Sequence, residues 1–278
     1  MTHARTEDVG LTRTALQEEH AGLVRTVIPG VNAGSDGGVT TAIALLQLVY
    51  SEYRGLQQSR TDMQRRIRSL CRWFAVERAR RAGTTWAGRF PAVTPDDIRR
   101  VHGSHGRLVA ALKMLRRLEL ACLKELVALA ALLPIARWVA MEVPGFALPS
   151  LAAIVAQAGD LLNYATVAKL WKRFSLHVID GMASRRIRGE AAAAQGFVPK
   201  RRTIMHNVGM SLLRVNGAYA ALYRERKQHE AAKPGVPKGL VHKRALRYIE
   251  KRLLRDLWRA WRDQTNPGET GFPVSVAA

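Results

Sequence analysis

The last long helical stretch of the chain, residues 241–262, carries side chains that could bind a polyanion. At about 100° per helical residue, one side of this stretch is basic, with Arg244, Arg247, Lys251, Arg255, Arg259 and Arg262. The opposite side is apolar, with Leu246, Ile249, Leu253, Leu257 and Ala260. Two rings, Tyr248 and Trp258, fall on the basic side, where no core needs them. Guanidinium groups pair with phosphates and flat rings stack on bases, so the pattern predicts a nucleic-acid-binding surface.

The composition of the whole chain agrees with a polyanionic partner. Its 278 residues include 44 Lys and Arg against 22 Asp and Glu, a formal net charge of +22. The basic excess is larger after Pro144 than before it, and arginine far outnumbers lysine. Arginine favours bidentate phosphate contacts over simple counter-charge. The alternative is a basic protein from a high-GC genome, whose codons favour Arg and Ala.

Cysteine, histidine and hydropathy patterns narrow the class of protein further. Cys71 and Cys122 each lie alone in a helical pattern, which predicts neither a disulfide nor a zinc site and suits a reducing cytoplasm. The histidines and carboxylates lack metal-ligand spacing, so we expect no metal and no cofactor. The most apolar run, residues 126–143, is interrupted by Pro134 and Arg137. It predicts a core helix and no membrane span.

The chain predicts an all-α fold, because helix-forming residues dominate and strand-like alternation is absent. Residues 1–40 predict a weakly ordered segment that leads through a glycine-rich loop, and residues 263–278 predict a flexible tail. Between them, residues 41–142 predict two long helices that pair as an antiparallel, coiled-coil-like hairpin, the second beginning at a Thr94 cap. Such arms commonly mediate homo-oligomerisation. An ordinary helical domain that buries the same apolar stripes internally is equally favoured.

The most specific local pattern lies where the second arm ends. A helix ends at Pro144-Gly145, a second helix follows through Leu151, and Gly159-Asp160 comes after it. This order resembles a helix-hairpin-helix, in which a glycine turn frees backbone N–H groups that hold one DNA phosphate. Ala147 stands where a second glycine is expected, which hinders close phosphate approach. We therefore expect residues 143–262 to form a helix-hairpin-helix DNA-binding domain, with Gly145 as a phosphate contact.

Pro144-Gly145, Gly159-Asp160, Leu170-Trp171 and the later basic helices resemble the C-terminal domain of a serine-dependent insertion-sequence transposase family. In that family a helical arm precedes the helix-hairpin-helix domain, an RNase H-like domain with acidic metal ligands precedes both, and some members use a structured guide RNA. The resemblance covers about half the chain and implies DNA transposition or recombination for a mobile element or phage. This chain departs from the family, because residues 1–81 do not predict the strands of an RNase H-like domain.

The resemblance also implies a nucleophilic serine after the hairpin domain, near a glycine and basic residues. Where the family has Ser-Gly, this chain has Asp180-Gly181. Ser184 is the nearest candidate, and the adjacent Arg185 and Arg186 could stabilise a phosphate transition state. The favoured alternative is a surface serine beside phosphate-binding arginines.

Two further basic groups extend the expected interface. One is Arg185, Arg186 and Arg188, and the other is Lys200, Arg201 and Arg202. The second group directly precedes a helix that the sequence predicts over about residues 203–230. Cations at the start of a helix are unfavourable unless an anion binds there, so this group also predicts a phosphate contact. Two alternatives to DNA binding stay open. One is a recombinase that uses Ser184 with metal-binding carboxylates from another chain. The other is a non-catalytic protein that binds structured RNA or single strands through Tyr248 and Trp258.

Overall fold

The computed structural model describes residues 36–84, 90–190, 192 and 195–265, and these residues confirm the all-α class. Most of the segment predicted as weakly ordered, and the tail beyond Thr265, lie outside the described residues. The α-helices, in chain order, are α1 (Asp36–Arg81), α2 (Pro95–Ser104), α3 (Gly106–Ala131), α4 (Ala136–Glu142), α5 (Leu148–Ala158), α6 (Val167–Arg173), α7 (Pro199–Val215), α8 (Ala218–Ala231) and α9 (Lys238–Thr265). A 3₁₀ helix spans Leu161–Asn163, and strands β1 (Val178–Ile179) and β2 (Met182–Ala183) pair as an antiparallel hairpin.

The structure corrects three predicted element boundaries. Helix α1 begins at Asp36, within the predicted glycine-rich loop, because Ala42 and Leu46 are buried and anchor its first turns. The helix expected over residues 203–230 is two helices, since Asn216 adopts the left-handed conformation (φ 55°) that ends α7. Helix α9 continues to Thr265, so the first residues of the predicted tail are helical. The small hairpin was also missed, and its turn is formed by Asp180 and Gly181, both at positive φ.

The chain divides into two compact units, an arm unit of Val49–Glu125 and a main unit formed by the rest of the described chain. Within the arm unit, Arg60 of α1 forms an ion pair with Glu119 of α3. Closer to the C-terminal end of α1, the Phe74 ring lies 6.4 Å from the ring of His105, the residue directly before α3. Residue numbers therefore rise along one helix as they fall along the other, as antiparallel helices require.

The start of α2 follows the sequence prediction closely. The Thr94 side chain accepts a hydrogen bond from the Asp97 backbone N–H, and the Asp97 carboxylate accepts one from the Thr94 N–H. This capping box confirms Thr94 as the cap. Arg78 of α1 lies 3.1 Å from the buried Asp97 carboxylate and, with Thr94, lowers the pKa of that carboxyl to about 2.

In the main unit, α9 is the central helix and packs against α6, α7, α8 and the 3₁₀ helix. All five residues predicted for its apolar side are buried: Leu246, Ile249, Leu253, Leu257 and Ala260. Helix α7 crosses α9 closely at Gly209, where an added Cβ would lie 2.9 Å from Leu246 Cδ1 and 3.1 Å from Glu250 Cγ. Among the described residues, no helix has both the length and the apolar character of a membrane span.

We expect Gly209→Ala to lower the free energy of unfolding by about 1–3 kcal/mol, because the added methyl overpacks the α7–α9 crossing. Urea unfolding followed by circular dichroism measures the change. Gly239→Ala is the matched control, since nothing lies within 4 Å of its added Cβ on α9. A Gly209→Ala protein as stable as the control would contradict the close crossing.

Candidate nucleic-acid interface

The Pro-Gly turn joins α4 to α5 and packs on the end of α7. Gly145 has φ 89°, and an added Cβ would lie 3.0 Å from the Ser211 carbonyl oxygen and 3.0 Å from Val215 Cγ2. Only glycine fits both this backbone conformation and this close approach. The structure therefore gives Gly145 a packing role against α7, and its phosphate contact stays a prediction.

The Gly159-Asp160 pair connects α5 to α9. Gly159, at φ 79°, ends α5. The Asp160 carboxylate accepts hydrogen bonds from the Leu162 backbone N–H at 2.9 Å and from Trp261 Nε1 at 3.0 Å. This pair, part of the family resemblance, fixes the 3₁₀ helix to the central helix.

Ser184 is placed as a structural residue and does not face solvent. It is 4% exposed, and its hydroxyl donates a hydrogen bond to the Ser175 carbonyl oxygen at 2.9 Å. Ser175 is itself buried, and its hydroxyl accepts a hydrogen bond from the Val198 N–H at 2.8 Å. These bonds tie the segment after the hairpin to the start of α7. Burial contradicts the alternative of a surface serine, and a nucleophilic role for Ser184 stays an untested prediction.

The basic side of α9 is largely used inside the molecule. Arg244 pairs with Glu230 at 3.1 Å, and Arg255 pairs with its neighbour Asp256 at 3.0 Å. Of the six basic residues predicted for this side, only Arg244 and Arg259 are exposed; the other four are half-buried. The prediction of one solvent-facing stripe is corrected, because neighbouring helices cover more than the apolar side of α9.

The two rings of α9 are also not free stacking platforms. The Arg226 guanidinium lies 5.3 Å from the centre of the Tyr248 ring, and the Arg262 guanidinium lies 4.4 Å from that of Trp258. Trp258 Nε1 donates a hydrogen bond to the Tyr164 carbonyl oxygen at 2.9 Å. Both rings are half-buried and serve packing, contrary to the prediction that they face outward.

Two buried carboxylates of the main unit, Glu230 and Glu250, are paired with cations. Glu230, at the end of α8, is 1% exposed and accepts from Arg226 at 2.5 Å, Lys233 at 2.9 Å and Arg244 at 3.1 Å. Lys233, Arg244 and Arg226 together lower the pKa of its carboxyl to about 2 despite burial.

The second buried carboxylate, Glu250 of α9, forms an ion pair with Arg202 of α7 at 2.8 Å. Burial raises the pKa of Glu250, while Arg202 and Arg247 oppose that rise. Arg202 and Arg247 were predicted to contact nucleic acid. The structure corrects this for Arg202, which is held against the buried Glu250, and it leaves Arg247 half-buried beside the pair.

The predicted cations that remain exposed are Arg185, Arg186, Arg188, Lys200, Arg244 and Arg259; of these, Arg244 pairs with Glu230. Arg185, Arg186 and Arg188 follow β2 in one segment, which we call the arginine loop. This loop is fixed at one end, because the Arg185 backbone N–H donates to Gln195 Oε1 at 3.1 Å. The first residue of the loop is therefore held on the main unit, while the side chains of its three arginines are exposed.

Three arginines and two aromatic residues lie together near the end of α5. We call this group the Tyr164 cluster: Tyr164, Arg173, Arg201, Trp258 and Arg262. Arg173 Nε donates to the Gln157 carbonyl oxygen at 2.9 Å, and Arg201 Nε donates to Gln157 Oε1 at 3.3 Å. Arg262 Nη2 donates to the Tyr164 carbonyl oxygen at 3.4 Å. Burial and the nearby Arg173 lower the pKa of Arg201, as expected where like charges crowd together.

The sequence interpretation missed Lys172 and Arg173. They end α6, a helix of seven residues that is too short for a periodic pattern to reveal. The available signal was two consecutive cations directly after Leu170-Trp171. The described residues contain no group of three or more His, Cys, Asp or Glu side chains that could hold a metal ion.

Comparison with known proteins adds no relative: no protein family, curated protein or solved structure matches this chain. The resemblance to the transposase family therefore remains a prediction that rests on the residues named above.

We expect Glu230→Gln to lower the free energy of unfolding by about 2 kcal/mol at pH 7, because three cations lose their shared carboxylate. The folded-state pKa lies below the unfolded value of 4.5. The stabilisation is therefore present above that value, and the difference between wild type and variant shrinks as pH falls from about 5 to about 2. Urea unfolding at several pH values measures it, with the exposed Glu225→Gln on the same helix as control. A pH-independent difference would argue against the ion cluster.

We expect Ser184→Ala to lower the free energy of unfolding by about 1 kcal/mol, since the Ser175 carbonyl loses its donor. Binding to duplex DNA, measured by fluorescence anisotropy, should stay within twofold of wild type. A covalent protein–DNA adduct that forms with wild type and is absent in this variant would support the nucleophile hypothesis.

Proposed function

We propose that this chain binds DNA through its phosphate backbone, in transposition or recombination of a mobile element or phage. The observation that carries the proposal is the separation of charge in the main unit, where carboxylates turn inward and cations remain outside. Across described residues 144–265, only three carboxylates are exposed: Asp180, Glu190 and Glu225. An uncompensated cationic surface attracts a polyanion and releases its counterions. For a protein of a mobile element, this activity implies the cytoplasm.

The geometry favours contacts to phosphates over stacking on bases. The arginine loop and Lys200 stand in solvent, whereas Tyr248 and Trp258 each have a ring face occupied by an arginine of the same chain. A base that stacked on those ring faces would first have to displace the arginines. This supports duplex DNA over the alternative of single-strand or structured-RNA binding.

Binding, without strand cleavage by Ser184, is the activity that the described residues support. The Ser184 hydroxyl is buried and already donates to a carbonyl oxygen, so it would have to leave that bond and reach solvent before it could attack a phosphate. We also propose that the arm units of two protomers associate. Large apolar side chains exposed on the arm unit support this, including Trp73, Met114, Leu118 and Leu120.

We expect the triple variant Arg185→Gln, Arg186→Gln, Arg188→Gln to bind duplex DNA at least tenfold more weakly at moderate salt. The slope of log affinity against log salt concentration should fall by about one for each phosphate that the variant no longer neutralises. Fluorescence anisotropy with a labelled duplex measures both quantities. Competition with single-stranded DNA and structured RNA tests the choice of nucleic acid.

The matched control is Arg66→Gln, Arg68→Gln, Arg72→Gln, which removes the same charge from exposed positions on α1. It should bind DNA nearly as well as wild type. Equal weakening in both variants would show that net charge alone attracts DNA. Unchanged affinity and slope in the arginine-loop variant would contradict the proposed interface.

A further inference from the structure

Two arginines of the Tyr164 cluster are held by one glutamine at the end of α5. Arg173, the last residue of α6, donates from Nε to the Gln157 carbonyl oxygen at 2.9 Å. Arg201, in the first turn of α7, donates from Nε to Gln157 Oε1 at 3.3 Å. We call Arg173 and Arg201 the arginine pair. Both guanidinium groups lie within hydrogen-bond reach of the same residue, although they come from different helices.

The end of α5 that holds the pair is itself fixed within the main unit. The Tyr164 hydroxyl donates to the carbonyl oxygen of Ala158, the residue after Gln157, at 2.9 Å. The Tyr164 carbonyl oxygen in turn accepts a hydrogen bond from Trp258 Nε1 of α9 at 2.9 Å. The arginine pair is therefore partly ordered before a ligand arrives, and less side-chain freedom is lost on binding.

The terminal nitrogens of the pair are open to a ligand. Arg173 is exposed and Arg201 is half-buried. Among the described residues, no group accepts a hydrogen bond from Nη1 or Nη2 of either arginine, and no carboxylate forms an ion pair with them. Nη1 and Nη2 of Arg201 are not among the buried unpaired atoms, so they reach solvent. An anion can therefore approach both guanidinium groups from outside.

The arrangement concentrates positive charge that nothing in the described chain offsets. Two guanidinium groups on one anchor repel each other, and burial together with Arg173 lowers the pKa of Arg201. The positive end of the α7 dipole adds to the same potential, because Arg201 lies in the first turn of that helix. One anion bound to both arginines would relieve this repulsion through charge-assisted hydrogen bonds.

We infer that the arginine pair binds one backbone phosphate of duplex DNA, with the terminal nitrogens of Arg173 and Arg201 as donors. This inference rests on the proposed function and adds a second contact to the arginine loop. A backbone phosphate has one negative charge and two unbridged oxygens, and a guanidinium group is a planar donor that suits such oxygens. Gln157 takes no part in the contact itself and holds the two donors in place.

The test is a salt titration of DNA binding by fluorescence anisotropy, with a blunt duplex labelled at a 3′ end and free of terminal phosphates. We expect the double variant Arg173→Gln, Arg201→Gln to bind about tenfold more weakly at moderate salt. The slope of log affinity against log salt concentration should fall by about one, because both side chains neutralise the same phosphate. A fall of about two would contradict a shared phosphate. Unchanged affinity and slope would overturn the site.

The matched control is Arg137→Gln, Arg214→Gln, which removes two exposed arginines from other parts of the main unit. It should bind duplex within about twofold of wild type. Equal weakening in both double variants would assign the effect to net charge and overturn the site. Because Arg173 is exposed, Arg173→Lys keeps the test decisive if the double variant unfolds. It retains the charge but should still bind more weakly, since lysine is not a planar, bidentate donor.

Gln157→Glu separates ligand binding from stability. The new carboxylate keeps an acceptor oxygen for Arg201 and itself pairs with the arginines, so the free energy of unfolding should not fall. Binding of duplex should weaken about tenfold, because the carboxylate occupies the donors that the phosphate needs. Wild-type affinity in this variant would contradict the site.

The outcomes separate this site from the proposed function. Weakening by the arginine-loop variant, with wild-type binding by the arginine-pair variant, would overturn this site and leave the proposed function standing. A wild-type protein that binds no duplex would overturn both.

Discussion

The close crossing of α7 over α9 at Gly209 determines how the main unit distributes its charge. With no side chain at that position, Glu250 packs directly against α7, and its carboxylate becomes a buried charge. A buried carboxylate is strongly destabilising without a cation, and Arg202 of α7 supplies one. The same helix start then directs Arg202 inward and Lys200 outward. One steric requirement thus separates the cations that stabilise the protein from those available to a ligand.

Periodicity and local chemistry predicted the fold class, the buried side of α9 and the Thr94 cap, because each depends on residues close in sequence. Whether a given arginine is paired inside the protein or can bind a ligand could not be predicted in the same way. Arg244 is used by Glu230 on α8, and Arg202 by Glu250 on another helix. Such pairs form only when distant elements pack together, so neither helix alone reveals them.

Ser184 shows the same limit at the level of one residue. Its neighbours in sequence, Arg185 and Arg186, favoured a role in phosphate chemistry. In space, the Ser184 hydroxyl contacts the Ser175 carbonyl oxygen, and the residue directly follows the β1–β2 hairpin. These contacts give Ser184 a structural role in the main unit. The Asp180-Gly181 pair had a local signal that fitted a hairpin turn. The hairpin was nevertheless not predicted, because the surrounding residues have a helical pattern.

The division of the chain at Leu48 and Leu126 has a consequence for synthesis on the ribosome. The arm unit is complete in sequence once Glu125 has been made, and it can begin to fold at that point. The main unit begins earlier, with buried residues such as Leu46 on α1, yet its central helix is the last described element to emerge. Until α9 appears, the apolar sides of α7 and α8 have no central helix to cover them. Nascent chains of this protein are therefore most prone to aggregation late in synthesis, and α9 ends that interval.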